Sequence, residues 1–329
     1  MEKKMSNKRL DYIDIAKAYL IFLVIVGHIL IVLNPTYSKM IFSAGESWIT
    51  TFHMPAFFVI HGMLFKKEKW DEKSFWEFLK KRSYSLIIPY AFFEGLGIIC
   101  RFLFYHQSIG DGIYNMITVR CNVGADWFLI AMFMGCIGFW FVSNYFNHLL
   151  SIFIVLLSFS LPLLISGNQL SIVLNRGCIA FGFILVGYLG KHIFLDEKVK
   201  SLLWIILSFV ITTVIAIINL RWCGNDIYAG WIQNPFTLYF GGTSGTLFIL
   251  GISQRIKIKG SEIIGKHTLS IMGTHQLIIY ALTTCYSEFY SGNLFMGSNM
   301  LCAIVILEVP IVYLLDQYLY FFVGKKRKS

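Results

Sequence analysis

Residues Asp11 to Leu33 read DYIDIAKAYLIFLVIVGHILIVL, a stretch long and apolar enough to cross a bilayer. It nevertheless carries Asp14, Lys17 and His28. Ionisable side chains at membrane depth are expensive, and by default they mark functional pathways. On a helix, Asp14 and Lys17 sit three positions apart and share a face. Lys17 and His28 are separated by about 1100° of turn, which leaves them about 20° from a common face and about 16 Å apart along the axis. One polar stripe therefore runs from the start of the segment deep into it. Mutual pairing would account for Asp14 and Lys17 but leaves His28 unexplained.

Working outward, the rest of the chain has the same character. Of its 329 residues, 57% are hydrophobic, 17% aromatic and only 14% charged, whereas soluble domains carry about 25% charged residues. Ten apolar segments stand out, at about 11–33, 48–65, 84–105, 126–143, 148–166, 172–194, 201–220, 236–254, 262–284 and 299–322. The expected fold class is all-α: a polytopic integral membrane protein with about ten transmembrane helices. Residues 1–329 are expected to form one membrane domain, leaving no room within them for a soluble one.

The net charge of +10 raises the question of a nucleic-acid partner, and its distribution answers it. With ten spans both termini lie on one side, and segments on that side hold 22 of the 28 Lys and Arg residues. The positive-inside rule then puts both termini in the cytoplasm of a cell-membrane protein. The basic excess reports topology and contact with anionic membrane lipids, and no nucleic acid is expected. The opening MEKKMSNKR leads into a full-length span with no cleavage pattern, so the first helix is expected to be retained. The seven cysteines show no CxxC or Cys/His ligand spacing and no metal is expected. Cys121, Cys223 and Cys285 fall near the outer face, leaving a disulfide between two of them open.

Alternating the spans gives each polar residue a depth. Lys17 lies near the cytoplasm with Lys66, Lys67, Lys80, Lys81 and Arg82, a clustering that suits a phosphate-bearing ligand. Retention of a basic loop on the inner side explains part of that run as well. His28 and His53 fall in the outer half with Arg101, Arg176 and Trp127, and two imidazoles near one depth offer acid–base chemistry at neutral pH. Glu94 and Arg101, seven apart, either pair directly or find other partners. Trp127 reads equally as an interfacial anchor, and His275 with Gln276 as a bridge between helices.

These elements resemble the membrane-bound acyltransferase-3 family, in particular its branch related to fucose 4-O-acetylases. RLDYIDIAKAYLIFLVIVGH is similar to the family's opening helix, in which a basic residue precedes a His by ten intervening positions, here Lys17 and His28. FHMPAFFVIHGMLFKK (Phe52 to Lys67), KKRSYSLIIPY (Lys80 to Tyr90) and WFLIAMF (from Trp127) resemble three further elements in order. Fainter likenesses surround Arg176 and His275. Two positions depart from the pattern: His61 precedes Gly62 where Ser is common, and Met272 stands near a usual Tyr.

The resemblance implies transfer of an acyl group from cytoplasmic acetyl-CoA to a hydroxyl of a glycan or lipid-linked saccharide, as in modification of an exopolysaccharide. His28 and His53 are the implied catalytic residues, with His28 the base and His53 ahead of Arg101 and Arg176 as oxyanion donor. An acyl-His28 intermediate is the alternative. Lys17, Asp14, Lys66, Lys67 and Arg82 are assigned to the acyl-CoA, and Trp127, Arg176, Arg101 and His275 to the acceptor. A transporter or flippase would use a similar polar stripe, though no matched pair of interrupted helices is evident. A di-His haem site is the third reading. Oligomeric state and acceptor identity are not legible.

Overall fold

A computed structural model describes residues 11–65, 72–145 and 168–325. The expected fifth span at 148–166 lies outside these residues, as do Lys66 and Lys67. Helices account for every other expected span, and among the described residues the only β pairing is an isolated bridge between Asp226 and Trp231. Six helices are long and apolar enough to cross a membrane, and Trp127–Ser143 is a shorter apolar one. Backbone groups with no water to bond must pair within their own segment, which is why the apolar stretches are helical. The side on which the first helix begins is called the near side below, and the opposite one the far side.

Helix α1 (Asp11–Leu33) opens with Asp11 and Asp14 in its first turn, where negative charge suits the helix dipole. The expected span 48–65 is two helices, α2 (Met40–Thr50) and α3 (His53–Met63). Pro55 explains the break: its ring would clash with the Thr51 carbonyl in a continuous helix, and the chain departs from helical geometry at Phe52. A second proline shapes the third span. There α4 (Glu72–Arg82) passes through a π-helical turn, Ser83–Ile87, into α5 (Ile88–Tyr105). The wider turn stands where Pro89 cannot donate to a carbonyl one turn back.

Short α6 (Ile109–Ile117) and a loop lead to α7 (Trp127–Tyr145). After residue 168 come α8 (Gln169–Leu189), α9 (Leu202–Arg221) and α10 (Pro235–Arg255). Then α11 (Ser261–Lys266) and α12 (Thr268–Cys285) replace one expected span, and α13 (Leu294–Tyr318) ends the set. Several starts are fixed by capping side chains that bond backbone N–H groups: Asn168, Ser201, Asn234 and Asn293.

Packing brings α1 to the middle, against α2, α3 and α10 to α13. Glycines permit the closest crossings. A Cβ on Gly62 would overlap the Ile184 carbonyl, and one on Gly187 the Val59 carbonyl, so α3 and α8 touch backbone to backbone. Gly265 admits the Asp14 backbone in the same way and seats α11 on α1. All seven cysteines are free, so no disulfide joins Cys121, Cys223 and Cys285.

Candidate functional site

The polar stripe of α1 ends at a contact between two histidines. His28 Nδ1 lies 3.1 Å from His275 Nε2, with ring centroids 4.9 Å apart. His275, on α12, is fully buried. Three histidines share one local device, in which Nδ1 faces the backbone carbonyl one turn earlier: His28 to Val24 (2.9 Å), His53 to Ile49 (2.8 Å) and His275 to Ile271 (2.8 Å). A carbonyl oxygen only accepts, so each neutral ring is assigned its proton on Nδ1. The His28 N–H is then shared between the Val24 carbonyl and His275 Nε2. The Nε2 atoms of His28 and His53 are left as lone-pair nitrogens without a hydrogen-bond partner among the described residues. His53 stands within electrostatic reach of His28. Its neutral ring offers the site an acceptor, so the oxyanion-donor role expected of His53 is not what this geometry provides.

Toward the near side, Asp14 and Lys17 pair at 3.4 Å. His61, on α3, lies within electrostatic reach of Arg82 and Lys17, and its Nε2 is 3.3 Å from Cys136 Sγ. The Arg82 guanidinium lies over the Phe65 and Phe78 rings at 5.1 and 5.2 Å. Its Nε is buried with no hydrogen-bond partner among the described residues. Beside α1 runs a cavity of about 740 Å³ between α11–α12 and α13. Ala18, Ile21 and Ile25 form one wall; its inner end, at Ile25 and Ile271, is one turn from His28 and His275. At its mouth Asp316 bonds His267 (2.7 Å) and Lys325 (2.5 Å). Glu308 lines the same cavity and accepts from Thr274 Oγ1 at 2.9 Å.

The far side is organised around the loop 118–126, which is drawn inward by charged groups. Glu94 accepts from the Asn122 and Val123 backbone N–H groups and from Asn122 Nδ2, at 2.8 to 3.0 Å. Arg101 Nε donates to the Asn122 carbonyl at 2.7 Å, and its other nitrogens reach Gln107 and Tyr280. Glu94 and Arg101 thus do not pair; they hold opposite sides of one peptide segment. Arg176 Nη1 donates to the Val119 carbonyl at 2.9 Å, and its Nε and Nη2 donate to the Tyr228 carbonyl. The Arg176 guanidinium also covers the Trp127 ring at 5.4 Å. Trp127 is buried rather than anchored at an interface.

The donors of Arg176 are therefore committed to loops and those of Arg101 to loops and Tyr280 of α12, and both hold the far side in place. Gln276 Oε1 accepts from the Ala125 N–H at 2.9 Å, joining the loop to the turn of α12 that carries His275. Of the expected site residues, the structure brings His28, His53 and His275 together in one region and Lys17 with Arg82 in another. The role of Asn122 and Gln276 in closing the far side had no signature in spacing.

A search of curated proteins and one of solved structures each returned no match. A family model described as an acyltransferase domain matches residues 10–316. A contact between half-buried His28 and buried His275 at the end of a polar stripe suits that chemistry, and with nearly the whole chain matched the protein belongs to the acyltransferase-3 family as a membrane acyltransferase.

Proposed function

We propose that the chain moves an acetyl group from cytoplasmic acetyl-CoA to a hydroxyl of a cell-envelope or exported glycan, in the manner of the fucose 4-O-acetylase branch. The observation that carries this reading is the His28–His275 contact. Together with the Val24 carbonyl it keeps the His28 proton on Nδ1 and leaves Nε2 free as a base at the end of a stripe that starts at Lys17. The near side corresponds to the cytoplasm because the basic residues concentrate there.

The groups on that side fit a phosphate-bearing donor. Arg82 Nε is an orphaned buried donor, and Lys17 and Lys325 add charge, with Lys66 and Lys67 assigned to the same role. The cavity along Ala18, Ile21 and Ile25 offers the pantetheine arm a path toward the His pair, and the rise from Lys17 to His28, about 16 Å, is comparable to that arm extended.

In the transfer, His28 Nε2 takes the proton of the acceptor hydroxyl as its oxygen attacks the thioester carbonyl carbon. The carbon–sulfur bond breaks, and the imidazolium returns the proton to the leaving thiolate. An ester and free coenzyme A result. His275 Nε2 accepts from His28 Nδ1–H throughout, holding the ring and stabilising its charged form. The test is O-acetyl content of surface polysaccharide in a deletion strain carrying wild type or His28→Ala at equal membrane abundance. Acetyl restored by wild type alone is the expected result; restoration by both refutes the mechanism.

A further inference from the structure

Asp126 sits at the far-side start of α7, fully buried, and neither carboxylate oxygen has a hydrogen-bond partner among the described residues. The Asn122 side-chain oxygen, four residues earlier and equally buried, is orphaned as well. A helix start normally satisfies such a carboxylate with its own first N–H groups. Here the Phe128 and Leu129 N–H groups turn instead to the Ala125 and Asp126 backbone carbonyls. Buried polar atoms are paired in nearly all proteins, so orphans call for a partner from outside the chain.

We infer that Asp126 and the Asn122 side-chain oxygen form the subsite that receives hydroxyl groups of the acceptor, a saccharide or other polyol. The inference rests on the transfer reading and names its acceptor side. The Asn122 side-chain oxygen only accepts, because its amide nitrogen already donates to Glu94 and to the Gly112 carbonyl; burial, with Glu94 nearby, makes Asp126 hold its proton more tightly, so its carboxyl offers an O–H as well as an acceptor oxygen. The matching ligand must therefore donate to the Asn122 oxygen and exchange hydrogen bonds with the Asp126 carboxyl, as hydroxyls do. A cation is the other donor-free solution, yet no cluster of three His, Cys, Asp or Glu able to hold a metal occurs among the described residues. The nearby Glu94 carboxylate is filled by three N–H groups.

Position ties the subsite to the chemistry. The Ala125 N–H, one residue before Asp126, bonds Gln276, and the next residue on α12 is His275, in contact with His28. The loop is held by Glu94, Arg101, Arg176 and Gln276, so its orphaned oxygens are fixed in direction before any ligand arrives. Such pre-organisation is what binding sites require and what a surface connection does not.

The test uses the full chain in nanodiscs, Asp126→Asn, and the methyl glycosides of glucose, galactose and N-acetylglucosamine as probes. Three quantities are measured: melting temperature with and without glycoside, KM for glycoside, and KM for labelled acetyl-CoA. Loss of the carboxyl O–H to the glycoside should lower kcat/KM for the glycoside by about 3- to 10-fold, mainly through KM. The acetyl-CoA KM should stay unchanged. Without glycoside, Asp126→Asn should melt at the same temperature or higher, because a buried, unpaired carboxyl that resists ionisation is replaced by an amide of the same shape. Glycoside should stabilise wild type more than the variant.

A lower melting temperature with both KM values altered means a structural role and overturns the inference, as does an unchanged glycoside KM. Absence of glycoside stabilisation in wild type overturns it too. If wild type is stabilised by glycoside but transfers no acetyl, the transfer reading fails while the hydroxyl subsite stands.

Discussion

Glu94→Gln isolates the claim that a buried carboxylate holds the far-side loop. The carboxylate accepts from three donors, the Asn122 and Val123 N–H groups and Asn122 Nδ2. A glutamine oxygen can serve the pair at Oε1, but its NH₂ would then face the Asn122 donors that Oε2 now accepts. At least one buried donor is left unpaired, which costs about 1–3 kcal/mol. Taking about 2 kcal/mol, local opening of residues 119–126 becomes about 30-fold more frequent, at 1.36 kcal/mol per tenfold. Cys121 reports that opening, since it is 5% exposed and lies inside the loop. Site-resolved thiol labelling followed by mass spectrometry reads its rate beside the exposed Cys285 and Cys302. The expected result is a Cys121 rate about 30-fold above wild type, with Cys285 and Cys302 unchanged. Equal Cys121 rates in the two proteins would refute the reasoning, and so would a rise shared with the other buried thiol, Cys136.

Four further outcomes follow from the site and its packing. His28→Gln should lower transfer by about 10²- to 10⁴-fold at unchanged abundance. His275→Ala, which leaves the Val24 carbonyl to hold the tautomer, should lose less than His28→Gln; steady-state rates decide, and the reverse order would count against His28 as base. Lys17→Gln should raise KM for acetyl-CoA by about tenfold through loss of a charge-assisted contact, with kcat little changed. Gly187→Ala should lower the melting temperature, because the new Cβ overlaps the Val59 carbonyl and overpacking costs about 1–3 kcal/mol.

The membrane spans are legible in sequence because desolvation of the backbone leaves helix as the available structure, whatever the tertiary neighbours. The break at Thr51–Phe52 is legible in principle from Pro55, but an apolar run from 48 to 65 hides it from hydropathy alone. The loop 118–126 is a different matter. VRCNVGAD reads as an exposed connection, and its burial depends on Glu94, Arg101 and Gln276, the last 151 positions away from its partner Ala125. The His28–His275 contact spans 247 positions, and helical periodicity says nothing across that distance. Spacing could place His28 and Lys17 on one face; it could not choose His275 over His53 as the partner.

Among the ionisable groups of the interior and its two ends, hydrogen bonding divides seven into two sets. Glu94, Arg101 and Arg176 are saturated by backbone and neighbouring groups, so a substrate could recruit them only by opening the loops they hold. His28, His53, Asp126 and Arg82 each keep at least one atom unpaired among the described residues. The division makes a joint prediction for two substitutions of similar bulk. In Arg176→Lys, one ammonium replaces three nitrogens on the Tyr228 and Val119 carbonyls, and a lost charged hydrogen bond costs about 1.5–3 kcal/mol. Melting temperature and loop protection should fall together, with activity following stability. His53→Gln can still bond the Ile49 carbonyl through its amide, so its melting temperature should hold while turnover falls. Melting curves and turnover on the same preparations separate the two groups. An Arg176→Lys protein that melts like wild type but turns over slowly would place that guanidinium on the substrate and break the division.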